Sequence, residues 1–194
     1  MPGARTACIA EERAAGHYRL STTAFTGIAV DLIDLSRLDP DLCDPALREA
    51  ALKRSGAGPT LIVNVDYAFG QQAEDILSNL LFVFGRSVRS VSVIGKAGGL
   101  VGERGDLMVP RSVMMQSSDE RYPLPGADLD VALLARLAPD RTVFEGPVLT
   151  VAGTLLQNRQ LLHFYRRFWQ CVGLEMEGSY FARTLIQAIE AGLV

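Results

Sequence analysis

The chain has 194 residues, 48% of them hydrophobic and 21% charged, with a formal net charge of −3. That length can bury the core of one domain, and the slightly acidic balance supplies no field that would attract nucleic acid or an anionic membrane. Three scattered cysteines (Cys8, Cys43, Cys171) and two histidines (His17, His163) support neither a disulfide framework nor a zinc site, so a reducing, cytoplasmic setting is expected.

Residues 1–22 are small, charged and loosely patterned, the signature of a tail or a weak helix, without the sustained apolar stretch of a signal peptide. Thr23–Leu35 suits a strand or a strand pair broken at Gly27. Asp39-Pro40 and Asp44-Pro45 mark turns or helix starts, and Pro45–Arg54 is expected to be a short helix entered through Asp44. Ser55-Gly56-Ala57-Gly58-Pro59 is a breaker. Thr60–Val65 is the strongest strand pattern, and Asp66–Gly70 turns out of it. Gln71–Phe84 then carries a helical stripe of Ala73, Ile76, Leu77, Leu80, Leu81 and Phe84. Its apolar run, Leu80–Phe84, is too short to span a bilayer.

Ser90–Ile94 alternates small polar and β-branched residues and is expected to form a buried strand. With Thr60–Val65 and the intervening helix it would make a right-handed β-α-β unit, placing Asp66–Gly70 beside Gly95–Gly99. Further on, strands are expected at Val113–Gln116, Val148–Val151 and Val172–Met176. Helices are expected at Leu129–Leu137 (with Asp128 as a candidate cap), Gln157–Trp169 and Gly178–Ala191; Ser117–Gly126 reads as a polar loop. The alternation predicts a single three-layer α/β domain over residues 23–194, with a central mixed, mainly parallel sheet flanked by helices.

Two stretches carry chemistry. The first is a loop with five glycines (Gly95, Gly98, Gly99, Gly102, Gly105), followed by Gly105-Asp106-Leu107-Met108-Val109-Pro110. Glycine this dense after a strand implies tight turning and close approach to a ligand. The loop is not a Walker A motif, since Gly95-Lys96 is followed by Ala97, and no helix opens inside it as a dinucleotide fingerprint requires. The second is Glu175-Met176-Glu177-Gly178. Alternation along a strand would put Glu175 and Glu177 on one face and Met176 on the other. A carboxylate at a sheet's carboxyl edge can accept both hydroxyl hydrogens of a vicinal diol such as ribose. An anion there also interacts better with a sugar as it gains oxocarbenium character. The same pair could instead be a surface feature leading into a helix N-terminus, where negative charge is favoured anyway.

Together, Gly95-Lys96-Ala97-Gly98-Gly99-Leu100, Gly105-Asp106-Leu107-Met108-Val109-Pro110 and Glu175-Met176-Glu177-Gly178 resemble the nucleoside phosphorylase/nucleosidase superfamily, purine nucleoside phosphorylase included, over roughly Thr60 to the C-terminus. The resemblance implies that fold and cleavage of the N-glycosidic bond of a nucleoside or nucleotide by phosphate or water. It implies Glu177 as the ribose diol acceptor, Met176 as the sugar platform and Glu175 as a supporting carboxylate. Tyr67-Ala68-Phe69-Gly70 resembles the family's Gly-Met-Gly turn, which would set Phe69 and Gly70 against the sugar; Phe69 could equally cap the core. Lys96 stands where the family has a small, often hydroxyl-bearing residue. With Gly95 it would bind an anion or pair with a carboxylate such as Glu177, or it would swing to solvent. Val93 replaces the usual arginine two residues before the glycine. Asp106 would hold the glycine turn through backbone N–H groups. Leu155 or Leu156 falls where the family stacks an aromatic on the base. The family's further C-terminal strand, with its leaving-group aspartate, would begin where this sequence stops, so no general acid is assigned; the resemblance leaves open a fragment of a longer protein, a shortened member with altered chemistry, or a non-catalytic relative. No cofactor is implied, inorganic phosphate being the one candidate co-substrate. The implied partner is a small-molecule nucleoside or nucleotide, with homo-oligomers common in the family. The alternative is a catalytically inactive nucleoside-binding or assembly domain of the same fold. His163, Cys171 and the Phe164–Trp169 aromatics are expected to serve packing or surface roles.

Overall fold

The computed structural model describes residues 2–20, 27–39, 41, 43–45, 48, 59–124, 129–153 and 157–194, the side chains of 2–6 excepted. They fall into two compact units, residues 1–68 and 69–194. In the first, helix α1 (Pro2–Ala14) precedes three strands: β1 (His17–Leu20), β2 (Val30–Asp34) and β3 (Leu61–Val65). They form one antiparallel sheet in the order β1-β2-β3. The turn from α1 into β1 needs Gly16: its φ is +86°, and a Cβ there would lie 2.8 Å from that of Arg37.

In the second unit, helix α2 (Gln71–Phe84) fills the span that its apolar stripe marks out, burying Ala73, Leu77 and Leu81. Then come β4 (Gly98–Gly99), β5 (Leu107–Met115), β6 (Arg121–Pro123), α3 (Val131–Leu137), β7 (Val143–Thr150), α4 (Arg159–Arg167), β8 (Gly173–Glu175) and α5 (Gly178–Glu190). The sheet order is β4-β8-β7-β5-β6. Its three inner strands, β5, β7 and β8, are parallel; the edge strands β4 and β6 are antiparallel. One core cluster gathers Met114, Leu149, Val151, Tyr165 and Cys171 where α4 covers the sheet. A second joins Leu77 and Leu81 of α2 to Ala188 of α5.

The mixed α/β class expected from the alternation is what the structure shows, but several local expectations change. Ser90–Ile94 is not a strand, and Val91, Val93 and Ile94 are 36%, 56% and 93% exposed. The strand ladder on that side starts only at Gly98, and apolar alternation without a hydrogen-bonded neighbour does not make a buried strand. The parallel β-α-β pair therefore does not form either: β3 is paired antiparallel with β2. Val113–Gln116 proves to be the end of the nine-residue β5, which passes through Pro110. The pairing with β7 shifts register between Pro110 and Ser112, a bulge that accommodates a residue with no N–H to give. Val148–Val151 likewise ends the longer β7, and the loop 117–126 contains β6.

The cap of α3 is Asp130, whose side chain accepts from Leu133 N at 3.0 Å; Asp128 lies outside the described residues, as do most of Thr23–Gly27, Pro45–Arg54 and Ser55–Pro59. Asp130→Ala should cost about 1 kcal/mol, which in a chain of this size lowers the melting temperature by about 2–4 °C in a thermal scan. Among the described residues no helix is long and apolar enough to cross a membrane, and no group of three or more His, Cys, Asp or Glu is placed to hold a metal.

Cys171 is 1% exposed, and burial pushes its thiol up to about 11. Since the thiolate is the reactive species, a thiol titration at pH 8 should label the exposed Cys8 in the native protein and reach Cys171 only after denaturant is added. His163 is on the surface of α4.

Candidate functional site

The parallel strands β5, β7 and β8 end together, and this common edge, where open α/β sheets bind ligands, carries the two glutamates. β8 stops at Glu175, so the strand alternation that would have paired Glu175 with Glu177 ends there. The chain turns instead into α5, whose N-cap is Glu177. Met176 is half-buried and packs against the core cluster under α4.

The two carboxylates do different things. Glu175 uses both oxygens: Oε2 accepts from the backbone N–H of Glu177 (2.6 Å) and of Gly178, and Oε1 accepts from the Thr150 hydroxyl. Thr150, at the end of β7 and 1% exposed, in turn accepts from Ser179 N at 2.8 Å. So β7, β8 and the first turn of α5 are tied through one side chain, and the first N–H groups of the helix, which have no partner within it, are satisfied. Gly178 leaves room for this: a Cβ there would stand 2.9 Å from Glu175 Oε1 and 3.0 Å from Val113 Cγ1.

Glu177 is the unsatisfied member. Its Oε1 is buried and has no hydrogen-bond partner among the described residues. Burial, and then the neighbouring Glu175 carboxylate, push its carboxyl above the usual glutamate range, against the pull of the Gly70 and Met176 N–H groups. The structure therefore brings Gly70 to Glu177. Gly70 has φ +53° and precedes α2; Phe69 beside it is 61% exposed and does not cap the core. The two helices entering the site, α2 and α5, are clamped by the Arg183–Glu74 ion pair at 2.6 Å.

Lys96 and Gly95 are exposed, and Lys96 makes no ion pair with Glu177 among the described residues. Gly98 pairs with Leu174 and Gly99 with Gly173 in antiparallel register, so the chain before Gly98 heads toward the Glu175 end of β8. The rest of the glycine loop serves the opposite end of the sheet. Asp106 accepts from Glu103 N (2.7 Å) and Thr142 N (2.9 Å), as expected of a turn-holding aspartate, and these N–H groups lower its carboxyl. Gly102 (φ +71°) has Asp106 Oδ2 2.6 Å from where a Cβ would sit. A cavity of about 340 Å³ lined by Ala97, Gly99, Val101, Asp106 and Met108 lies at this turn.

Sequence reasoning passed over the polar groups on the neighbouring strand ends. Gln116, just past β5, donates from Nε2 to Tyr165 Oη at 2.6 Å, and its backbone N–H bonds Thr150 O at 3.0 Å. Gln157 Nε2 is 3.4 Å from Gln116 Oε1 and 3.3 Å from Gly153 O. Nothing local in the sequence separates these glutamines from surface ones. Leu155 and Leu156 lie outside the described residues.

The mixed α/β fold, with a three-stranded parallel core, is one that solved nucleosidase structures share. The chain is similar to the futalosine hydrolase of Helicobacter pylori, at 13% identity and TM-score 0.62, over 92% of this chain and 75% of that one. It is similar to a 5'-methylthioadenosine/S-adenosylhomocysteine nucleosidase from Neisseria meningitidis in complex with methylthio-immucillin-A, at 16% identity and TM-score 0.62, over 92% and 74%. A putative methylthioadenosine nucleosidase from Weissella paramesenteroides matches at 19% identity and TM-score 0.60, over 92% and 75%. By sequence the chain belongs to a family of unknown function (DUF6909), matched over residues 3–194. No match is found among curated proteins.

Proposed function

We propose that this protein cleaves the N-glycosidic bond of a nucleoside or nucleotide, with Glu177 holding the ribose diol. The observation that carries this is the contrast between the two glutamates: both oxygens of Glu175 accept hydrogen bonds, while Glu177 keeps one buried oxygen without a partner among the described residues. A buried acceptor left unmatched is costly, and a diol hydroxyl would satisfy it. Once bonded and ionised, the carboxylate lies beside the sugar and stabilises positive charge as the bond to the base breaks. Gly70 borders the same carboxylate, the exposed Phe69 beside it would meet the sugar, Met176 packs toward the core, and Glu175 fixes the Glu177 backbone. Lys96 and Gly95, approaching from β4, suit an anion, either inorganic phosphate as nucleophile or a phosphate on the substrate. The folds of the solved nucleosidases support the same reading.

The test is base release from a panel of nucleosides and nucleotides, with and without phosphate. Release independent of phosphate is expected if Lys96 serves a substrate phosphate and water attacks; dependence on phosphate would make the reaction a phosphorolysis. No release from any member, with ligand binding still measurable, would leave a nucleoside-binding domain and overturn the cleavage reading.

A further inference from the structure

The glutamine pair formed by Gln116, just past β5, and Gln157, just before α4, belongs to no part of the mechanism above, yet it contains a second orphaned acceptor. Gln157 Oε1 is buried and has no hydrogen-bond partner among the described residues. The orientation of this amide is fixed by its surroundings. Its nitrogen faces two acceptors, Gln116 Oε1 and Gly153 O; turned over, its oxygen would confront a carbonyl that can only accept. Gln116 is held in turn by Tyr165, a residue 3% exposed in the core. The free group is thus an oxygen, an acceptor only, presented by a braced side chain.

Its position follows from the sheet. β8 carries Glu175 and leads to Glu177, β7 lies next to it, and β5, leading to Gln116, is one strand further. Two strand spacings are about 10 Å, comparable to the span of a nucleoside from its ribose diol to the far edge of its base. Resting on the nucleoside reading of Glu177, we propose that Gln157 is a specificity-determining residue, its Oε1 accepting an N–H from the base edge remote from the glycosidic nitrogen. The ligand class it selects is bases with an exocyclic amine or a ring lactam N–H on that edge. Gln116 is a positioning residue acting through Gln157.

Binding of free bases tests this separately from catalysis. Adenine and hypoxanthine carry such an N–H; unsubstituted purine does not. By titration calorimetry the native protein should bind adenine or hypoxanthine at least about tenfold tighter than purine, the gain of one well-made hydrogen bond to a buried acceptor. Gln157→Met, close in size and without the acceptor, should bring the ratio within about twofold. Gln116→Met should narrow it partway, and thermal melts of both variants should stay within a few degrees of the native protein. A native protein that does not discriminate, or a Gln157→Met protein that discriminates as well as native, overturns the proposal. Discrimination that depends on Gln157 without any base release from nucleosides would sink the cleavage reading and leave this one standing.

Discussion

Glu177→Gln should lower base release by about 10²–10³-fold and at the same time make the protein more stable at neutral pH. Both effects have one source. The carboxyl is held above its ordinary range by burial and by the Glu175 carboxylate, so its ionised form is uncomfortable in the folded protein and useful only to a substrate. A glutamine can still accept from a hydroxyl, but it brings no anion to the developing positive charge. With the folded pKa raised above the unfolded one, the contribution of Glu177 to stability is fully present below the ordinary glutamate range and is lost as pH rises through the raised value. The variant's advantage should accordingly appear as a higher melting temperature at pH 7 and vanish in acid. Activity should run the other way. The acid limb of kcat/KM should sit above the range of an ordinary glutamate, and the limb of kcat below that of kcat/KM, because the diol hydroxyls favour the ionised form once bound. A variant that keeps native activity would remove Glu177 from the site altogether.

Glu175→Ala should cost about 3 kcal/mol, because it strips the N-terminus of α5 of its acceptor. The N–H groups of Glu177 and Gly178 and the buried Thr150 hydroxyl would all lose a partner in one step. Denaturant unfolding should report the loss as a lower midpoint with an unchanged slope. Thr150→Val should cost about 1–2 kcal/mol, since Ser179 N also bonds that hydroxyl. Because the two side chains share one bond, the double variant should lose less than the sum of the singles. Additive losses would mean that the Thr150–Glu175 bond carries no coupling.

The helix Gln71–Phe84 was legible in the sequence because its apolar stripe is long and periodic, and it occupies just those residues. The turn-holding role of Asp106 was legible too, since an aspartate after glycine has few other uses. Ser90–Ile94 misled because alternation records which side chains suit a strand, while a strand also needs a neighbour to complete its ladder. Glu175 and Glu177 stood out as a pair, but what separates them did not: the hydroxyl bonded to Glu175 comes from Thr150, twenty-five positions away. Gln116 and Gln157 escaped for the same reason, being forty-one positions apart and meeting only through the parallel pairing of β5 and β7.

Gly178 implies a rule of inheritance for the site. The space its missing side chain leaves is filled by the Glu175 carboxylate and Val113, so the two positions, 175 and 178, are one unit divided between a large residue and none. A methyl group at 178 would push the carboxylate from the helix N-terminus and act much as deletion of Glu175 does. Gly178→Ala should therefore be poorly tolerated beside Glu175 and better tolerated beside a shorter residue, such as aspartate. In descendants of this chain, drift at one of these positions should open or close what the other is free to become.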